Sequence, residues 1–295
     1  MSHQSWRKNA ARVLVGTAAV IAIVILVMVA YYANNVRLAR RDTPALIRAA
    51  WTRIGSAIAL ADLPARRRSM LLAVEDPTFD WHHGVDLTTP GAGMTTITQG
   101  LVKLLYFPKG FKQGLAKIRQ TLIAQYALDP LVSKNDQLHL FLNICYMGTH
   151  AGAPVHGYAD AARVYFGKGF SALTDDEFLA LVAMHIKPDA LQPGTAANAQ
   201  RVQRMRRYLS GEYRPVDLLD VEYDGKHHGS LAEWVLIGFL RLVTSSPSEH
   251  QMSLRTVGPD SPGQGEPGLS DDRPRDPRLC YCPELSPRAT SSSSS

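Results

Sequence analysis

Between Arg12 and Arg37 the chain carries no charged side chain, and residues 13–32 are apolar almost throughout. A helix of that length matches the hydrocarbon thickness of a bilayer. Few helices buried in a soluble core are apolar on every face for so long. The apolar region of a cleaved signal peptide is shorter and ends in small residues. This run ends on Met28, Tyr31 and Tyr32, and the aromatic pair suits a membrane interface. The sequence therefore predicts an uncleaved transmembrane helix over 13–33, after a short N-terminal segment over 1–12. The flanking charges do not fix its direction. Arg7, Lys8 and Arg12 precede it and Arg37, Arg40 and Arg41 follow, so the positive-inside bias nearly cancels.

The remaining length, with 45% hydrophobic residues over 295, supports one good-sized domain and a tail. Residues 34–65 read as a stalk and first helices, with Pro44 and Pro64 as breaks. Residues 66–209 alternate amphipathic helical stretches with Gly/Pro/Thr loops. Period-2 alternation is scarce, so the class is mainly α. Residues 210–244 read as a helical extension, with a helix near 231–243. From residue 245 onward the chain is rich in Pro, Gly, Ser and Asp, a composition that cannot bury enough apolar surface to order itself. The net charge of +6 suits an anionic partner such as lipid head groups or phosphates. Nucleic acid is not expected, because no basic reading helix, RNA-binding signature or zinc-finger spacing is present. Three cysteines imply no disulfide framework. Cys145 lies in an apolar helical run and reads as a buried small hydrophobe. Cys280-x-Cys282 has no further ligand nearby and is a weak metal signal.

Two segments carry the chemistry. The first is Glu75-Asp76-Pro77-Thr78-Phe79-Asp80-Trp81-His82-His83-Gly84-Val85-Asp86. Pro77 disfavours helix at Asp76, so the preceding helix should end near Glu75. A carboxylate there faces the negative end of the helix dipole, and enclosure would raise its pKa towards that of a useful general base. The second is Gly93-Met94-Thr95-Thr96-Ile97-Thr98-Gln99-Gly100-Leu101-Val102-Lys103. Its hydroxyls, amide and lysine offer donors to sugar and phosphate oxygens, although a threonine cluster also suits a helix start. Elsewhere, Thr174-x-x-Glu177 is a capping-box pattern, Ser133 and Asp136 look like a helix start, and mid-helix Asn143 is expected to bond a neighbouring loop. His82 and His83 show no partner at metal-ligand spacing.

The first segment is similar to the pattern E-D-x-x-F-x-x-H-x-G-x-D of the peptidoglycan glycosyltransferases. That domain is shared by monofunctional transglycosylases and bifunctional penicillin-binding proteins. The second resembles the same family's G-x-S-T-I-T-Q-Q-x-x-K. Further family stretches resemble residues 116–120, 140–148, 157–168 and 173–177, all in family order within 66–209. The resemblance implies a lysozyme-like helical domain with a smaller membrane-proximal lobe. It implies Glu75 as catalytic base, with substrate contacts from Asp76, Phe79, His82, Thr95, Thr96, Gln99, Lys103, Lys112, Lys117, Arg119, Gln120, Asn143 and Glu177. It also implies polymerisation of lipid II into glycan strands with inversion and release of undecaprenyl pyrophosphate, in the bacterial inner membrane with residues 1–12 cytoplasmic and the domain on the periplasmic side. Partners would be the membrane, lipid II, the growing glycan and cell-wall assembly proteins. A divalent cation such as Mg or Mn would assist at the pyrophosphate.

The departures bear on activity. The second family glutamate is Gln120, its leading arginine is Ala116, the second glutamine of the threonine motif is Gly100, and the asparagine after the lysine is Leu104. A neutral amide at 120 would hold a cation poorly. The alternative is a pseudoenzyme that binds glycan or assembly partners without turnover. Glycan hydrolysis by inversion would need a second carboxylate, for which no candidate stands out. The apolar patch of Leu101, Leu104, Leu105, Phe107 and Phe111, punctuated by Lys103, Lys109 and Lys112, is the part that the resemblance places at the membrane. No transpeptidase motif follows residue 210.

Overall fold

The computed structural model describes residues 3–54, 58–112 and 114–244. The expected disordered tail over 245–295, with Cys280 and Cys282, lies outside the described residues. The architecture is mainly α, as the missing period-2 alternation predicts. The first helix, α1 (His3–Arg53), carries the apolar run, and its side chains over 13–30 are solvent-exposed in the isolated chain. It is long and apolar enough to cross a membrane. Beyond the apolar run α1 continues through residues 34–53, and its inner face (Ala39, Thr43, Ala50) is buried against the domain.

Pro44 does not break α1, contrary to the reading of the stalk. Proline costs a helix one N–H bond and crowds the preceding turn. Here the Thr43 hydroxyl donates to the Ala39 carbonyl at 2.7 Å, and its oxygen also meets the Tyr106 hydroxyl at 2.6 Å. Thr43 before the proline and Ala50 after it are both buried, which holds the helix to the domain on either side of Pro44.

After a 3-10 turn (Leu60–Asp62) come α2 (Ala65–Glu75), α3 (Ile97–Tyr106) and α4 (Leu115–Ile123). The chain then passes through one π-helical turn (Ala124–Leu128) into α5 (Asp129–Leu131). Next follow α6 (Lys134–Ile144), a hairpin of β1 (Tyr146–His150) and β2 (Ala153–His156), α7 (Gly157–Phe166), α8 (Asp175–Val182), α9 (Ala196–Leu209) and α10 (Leu231–Val243). Helix starts follow their caps. Thr96, Thr174 and Ser230 each close a capping box with Gln99, Glu177 and Glu233, and Ser133 caps α6. The core gathers fully buried residues of successive helices, among them Leu71, Leu101, Ile123, Leu138 and Phe178.

The antiparallel hairpin has no counterpart in the sequence reading. Its turn is Ala151-Gly152, both with positive φ (50° and 82°). Such a turn normally announces itself by Asn or Asp before Gly, and Ala in that conformation gives no warning.

Candidate functional site

A cleft of about 880 Å³ opens between the C-terminal end of α2, the loop into α3, the 107–111 segment, the end of α6 and the loop after α8. Glu75 stands in its wall as the last residue of α2. The helix ends there because Asp76 turns to φ −162°, ψ 74°, a conformation compatible with the following Pro77. Glu75 is half-buried, and the surrounding walls exclude enough water to push its carboxyl up to about 8. Burial is the main cause. The Arg201 guanidinium opposes the rise and neighbouring Asp76 adds to it.

Asp76 points away from the cleft and joins α2 to α3. Its carboxylate accepts the Ile97 N–H at 2.9 Å and lies 2.8 and 3.0 Å from His82 Nε2. Both side chains of that pair are fully buried. This bond places the threonine loop beside Glu75: Thr95 and Thr96 line the same cleft, with Lys103 about two turns further along α3. The Thr96 hydroxyl donates to the Gly84 carbonyl and caps α3 by accepting from the Gln99 N–H. Gln99 lies beneath the floor and donates through Nε2 to the Thr121 hydroxyl.

Two lysines supply positive charge. Lys103 is exposed at the rim, with its ammonium 5.7 Å from the Phe111 ring centre. Lys117 on α4 is buried and donates to the Thr95 hydroxyl at 2.9 Å. Burial, with Lys103 adding, lowers its ammonium pKa to about 7. It is therefore only partly charged near neutrality, and a bound anion would hold it in its cationic form.

The remaining expected contacts lie outside the cleft lining. Phe79 is buried under the Lys134 ammonium. Arg119 stacks over Phe107 at 5.1 Å, and its Nε has no partner among the described residues. Gln120 is buried and donates to the Gln99 carbonyl at 2.7 Å, and its Oε1 has no partner among the described residues. Lys112 is exposed beyond the rim. Asn143 bonds both backbone groups of Ile58 and so ties α6 to the chain after α1. Glu177 caps α8 and pairs with Lys168 at 2.6 Å.

Arg201 is the main residue that sequence reasoning missed. It is nearly fully buried, lines the cleft with Glu75, and donates to the carbonyls of Ala183 and Val221. The signal was present: Asn198, Arg201, Val202 and Met205 form the buried stripe of α9 at helical spacing. An arginine on that stripe needs an internal reason. His185 also lines the cleft. Burial, helped by Arg201, pushes its pKa down to about 3, so it is a neutral imidazole 2.8 Å from the Tyr158 hydroxyl.

The cleft does not suit the divalent cation expected at the pyrophosphate. A hard cation wants several oxygen ligands, and Glu75 is the single carboxylate among the described residues lining it. Gln120 lies outside the lining and offers at most one neutral amide oxygen. A separate group of Asp220, Asp224 and His228 lies within ligand-like spacing. Asp220 there accepts from Tyr213 and from the N–H groups of Val216 and Asp224, a structural set of bonds.

Fold and cleft together describe a helical domain whose cleft sets the half-buried Glu75 carboxyl below a rim that carries Lys103. A family model described as Transglycosylase matches residues 45–212, more than half of the chain, and the chain belongs to that family as a peptidoglycan transglycosylase-like domain. It is 30% identical over 163 residues to penicillin-binding protein 1A of Neisseria cinerea, covering 51% of this chain and 19% of that protein. The same-named protein of Haemophilus influenzae is 31% identical over 149 residues, covering 46% and 17%. A protein of Cupriavidus necator, provisionally named a transglycosylase, is 28% identical over 181 residues, covering 57% and 75%. The chain thus spans about a fifth of the length of the penicillin-binding proteins it matches.

Proposed function

We propose that this protein polymerises lipid II, held by α1 in the inner membrane with its domain on the periplasmic side. Glu75 takes the proton from the 4-hydroxyl of the incoming lipid-linked disaccharide. That oxygen attacks the anomeric carbon of the growing glycan from the face opposite the leaving group. The new glycosidic bond forms as the bond to undecaprenyl pyrophosphate breaks, and the configuration inverts. A carboxyl raised to about 8 is a stronger base than an ordinary glutamate, at the expense of a smaller ionised fraction near neutrality. Lys103 and Lys117 offset the charge that builds on the pyrophosphate, and Arg201 supplies positive potential from the inner wall. Because both substrates are lipid-linked, tethering by α1 keeps the cleft at their level.

The single observation that carries this reading is the half-enclosed Glu75 in one cleft with the threonine loop and Lys103. The test is lipid II polymerisation by the purified full chain, with Glu75→Gln as control. Glycan from the wild type and none from the variant is expected; equal product from both removes Glu75 as the base. A second reading, a pseudoenzyme that binds glycan or assembly partners, is favoured by the engagement of Gln120 with Gln99 instead of with the cleft. Lipid II binding without polymer from the wild type would establish it.

A further inference from the structure

Helix α10 lies beyond the family-matched residues and has two apolar faces. One, with Ile237 and Leu240, is buried against the domain. On the other, Leu231, Val235, Phe239 and Leu242 are 81%, 65%, 44% and 83% exposed. At 100° per residue these four fall within an arc of about 80°. The helix has two charged side chains, both engaged elsewhere. Glu233 closes the N-terminal capping box, and Arg241 donates to the Leu87 carbonyl. A continuous apolar stripe without charge is a contact surface, not scattered exposure.

Its position says what covers it. The Tyr126 hydroxyl donates to the Val243 carbonyl at the end of α10, and the Tyr126 carbonyl accepts from Arg40 of α1 at 2.7 Å. Arg40 is eight residues past Tyr32, or about 12 Å along the helix. An element about 10 Å across, held at that height beside a spanning helix, reaches the head-group layer. The exposed Arg37 and Arg41 add cations at the same level. The 101–111 patch sits at the same level too, through the contact of Tyr106 with Thr43. Residues 245–295, rich in Pro, Gly, Ser and Asp, offer little apolar surface to cover the stripe.

We propose that α10 is an interfacial helix whose Leu231/Val235/Phe239/Leu242 stripe lies on the anionic lipid surface, giving the domain a second membrane contact beside α1. This rests on the reading of α1 as a membrane span and is independent of catalysis. The test uses the full chain with Cys280→Ser and Cys282→Ser in phosphatidylethanolamine–phosphatidylglycerol vesicles. Cys145 is buried and stays unlabelled. Nitroxides are placed singly at Val235→Cys and Leu242→Cys, with Gln203→Cys as the exposed control and Val20→Cys as the probe of α1. Melting temperatures should match the parent, because only exposed side chains change. At 235 and 242 the ratio of oxygen to nickel-chelate accessibility should be several-fold above that at 203. A ratio equal to that at 203, with Val20 in lipid, overturns the docking alone. Dipolar broadening between copies overturns it in favour of self-association, and poor access of both relaxants in favour of cover by protein. A water-accessible Val20 overturns the anchor and the docking together, whatever the polymerisation assay reads.

Discussion

Glu75 is held in an environment that works against its own ionised form. Its carboxyl titrates near 8 in the folded chain against 4.5 ordinarily. Between those values the folded state binds more protons than the unfolded one, so stability falls as pH rises through the window. Allowing for partial solvent contact, the cost by pH 8 is on the order of 2 kcal/mol. Glu75→Gln keeps the shape and never ionises. Its melting temperature should match the wild type near pH 4.5 and exceed it increasingly towards pH 8, as measured by thermal denaturation in detergent. Parallel melting curves at all pH values would mean that the carboxyl is not enclosed. Glu75 was legible because Pro77 fixes the helix end and the flanking residues form a recognisable pattern. Arg201, its charged neighbour, was not. One arginine among four in α9 looks like a solvated face until the stripe of Asn198, Val202 and Met205 is traced around it.

At the level of elements, the site depends on one joint. Asp76 ends α2 and takes the Ile97 N–H at the start of α3, with His82 completing its bonds. Asp76→Ala would leave that N–H and the His82 ring nitrogen buried without partners. Loss of a buried, hydrogen-bonded carboxylate costs about 3 kcal/mol. Denaturant unfolding should show that loss. Polymer formation at a permissive temperature should fall further than the folded fraction does, because the threonine loop is no longer held against Glu75. The ends of α2 and α3 were written in local chemistry, a proline after the helix and a threonine capping box before it. The hairpin and the continuity of α1 through Pro44 were not, because each depends on a distant contact. Tyr106 clasps Thr43, and a glycine with positive φ at 157 packs so close to Asn143 that a Cβ would stand 2.4 Å from its carbonyl oxygen.

For the whole molecule, the proposed function makes α1 both anchor and ruler. Its apolar run sets the membrane, while Ala39, Thr43 and Ala50 fasten the domain at a fixed distance along the same rigid helix. Under the proposed function, lipid-linked substrates entering from the bilayer would find Glu75 at the height that this spacing dictates. A seven-residue helical insertion after Ala33 adds about 10 Å and turns the domain by only about 20°, so its orientation is nearly kept. The insertion falls in an exposed stretch before the buried contacts begin, so the melting temperature should be unchanged. Polymerisation of full-length lipid II in vesicles should drop at least about tenfold, the loss expected when a tethered site no longer meets its substrate. In detergent, where a substrate is not confined to a plane, activity should recover towards that of the wild type. Equal loss in both media would mean that the insertion damages the domain. No loss in either would mean that the height set by α1 has no part in substrate capture.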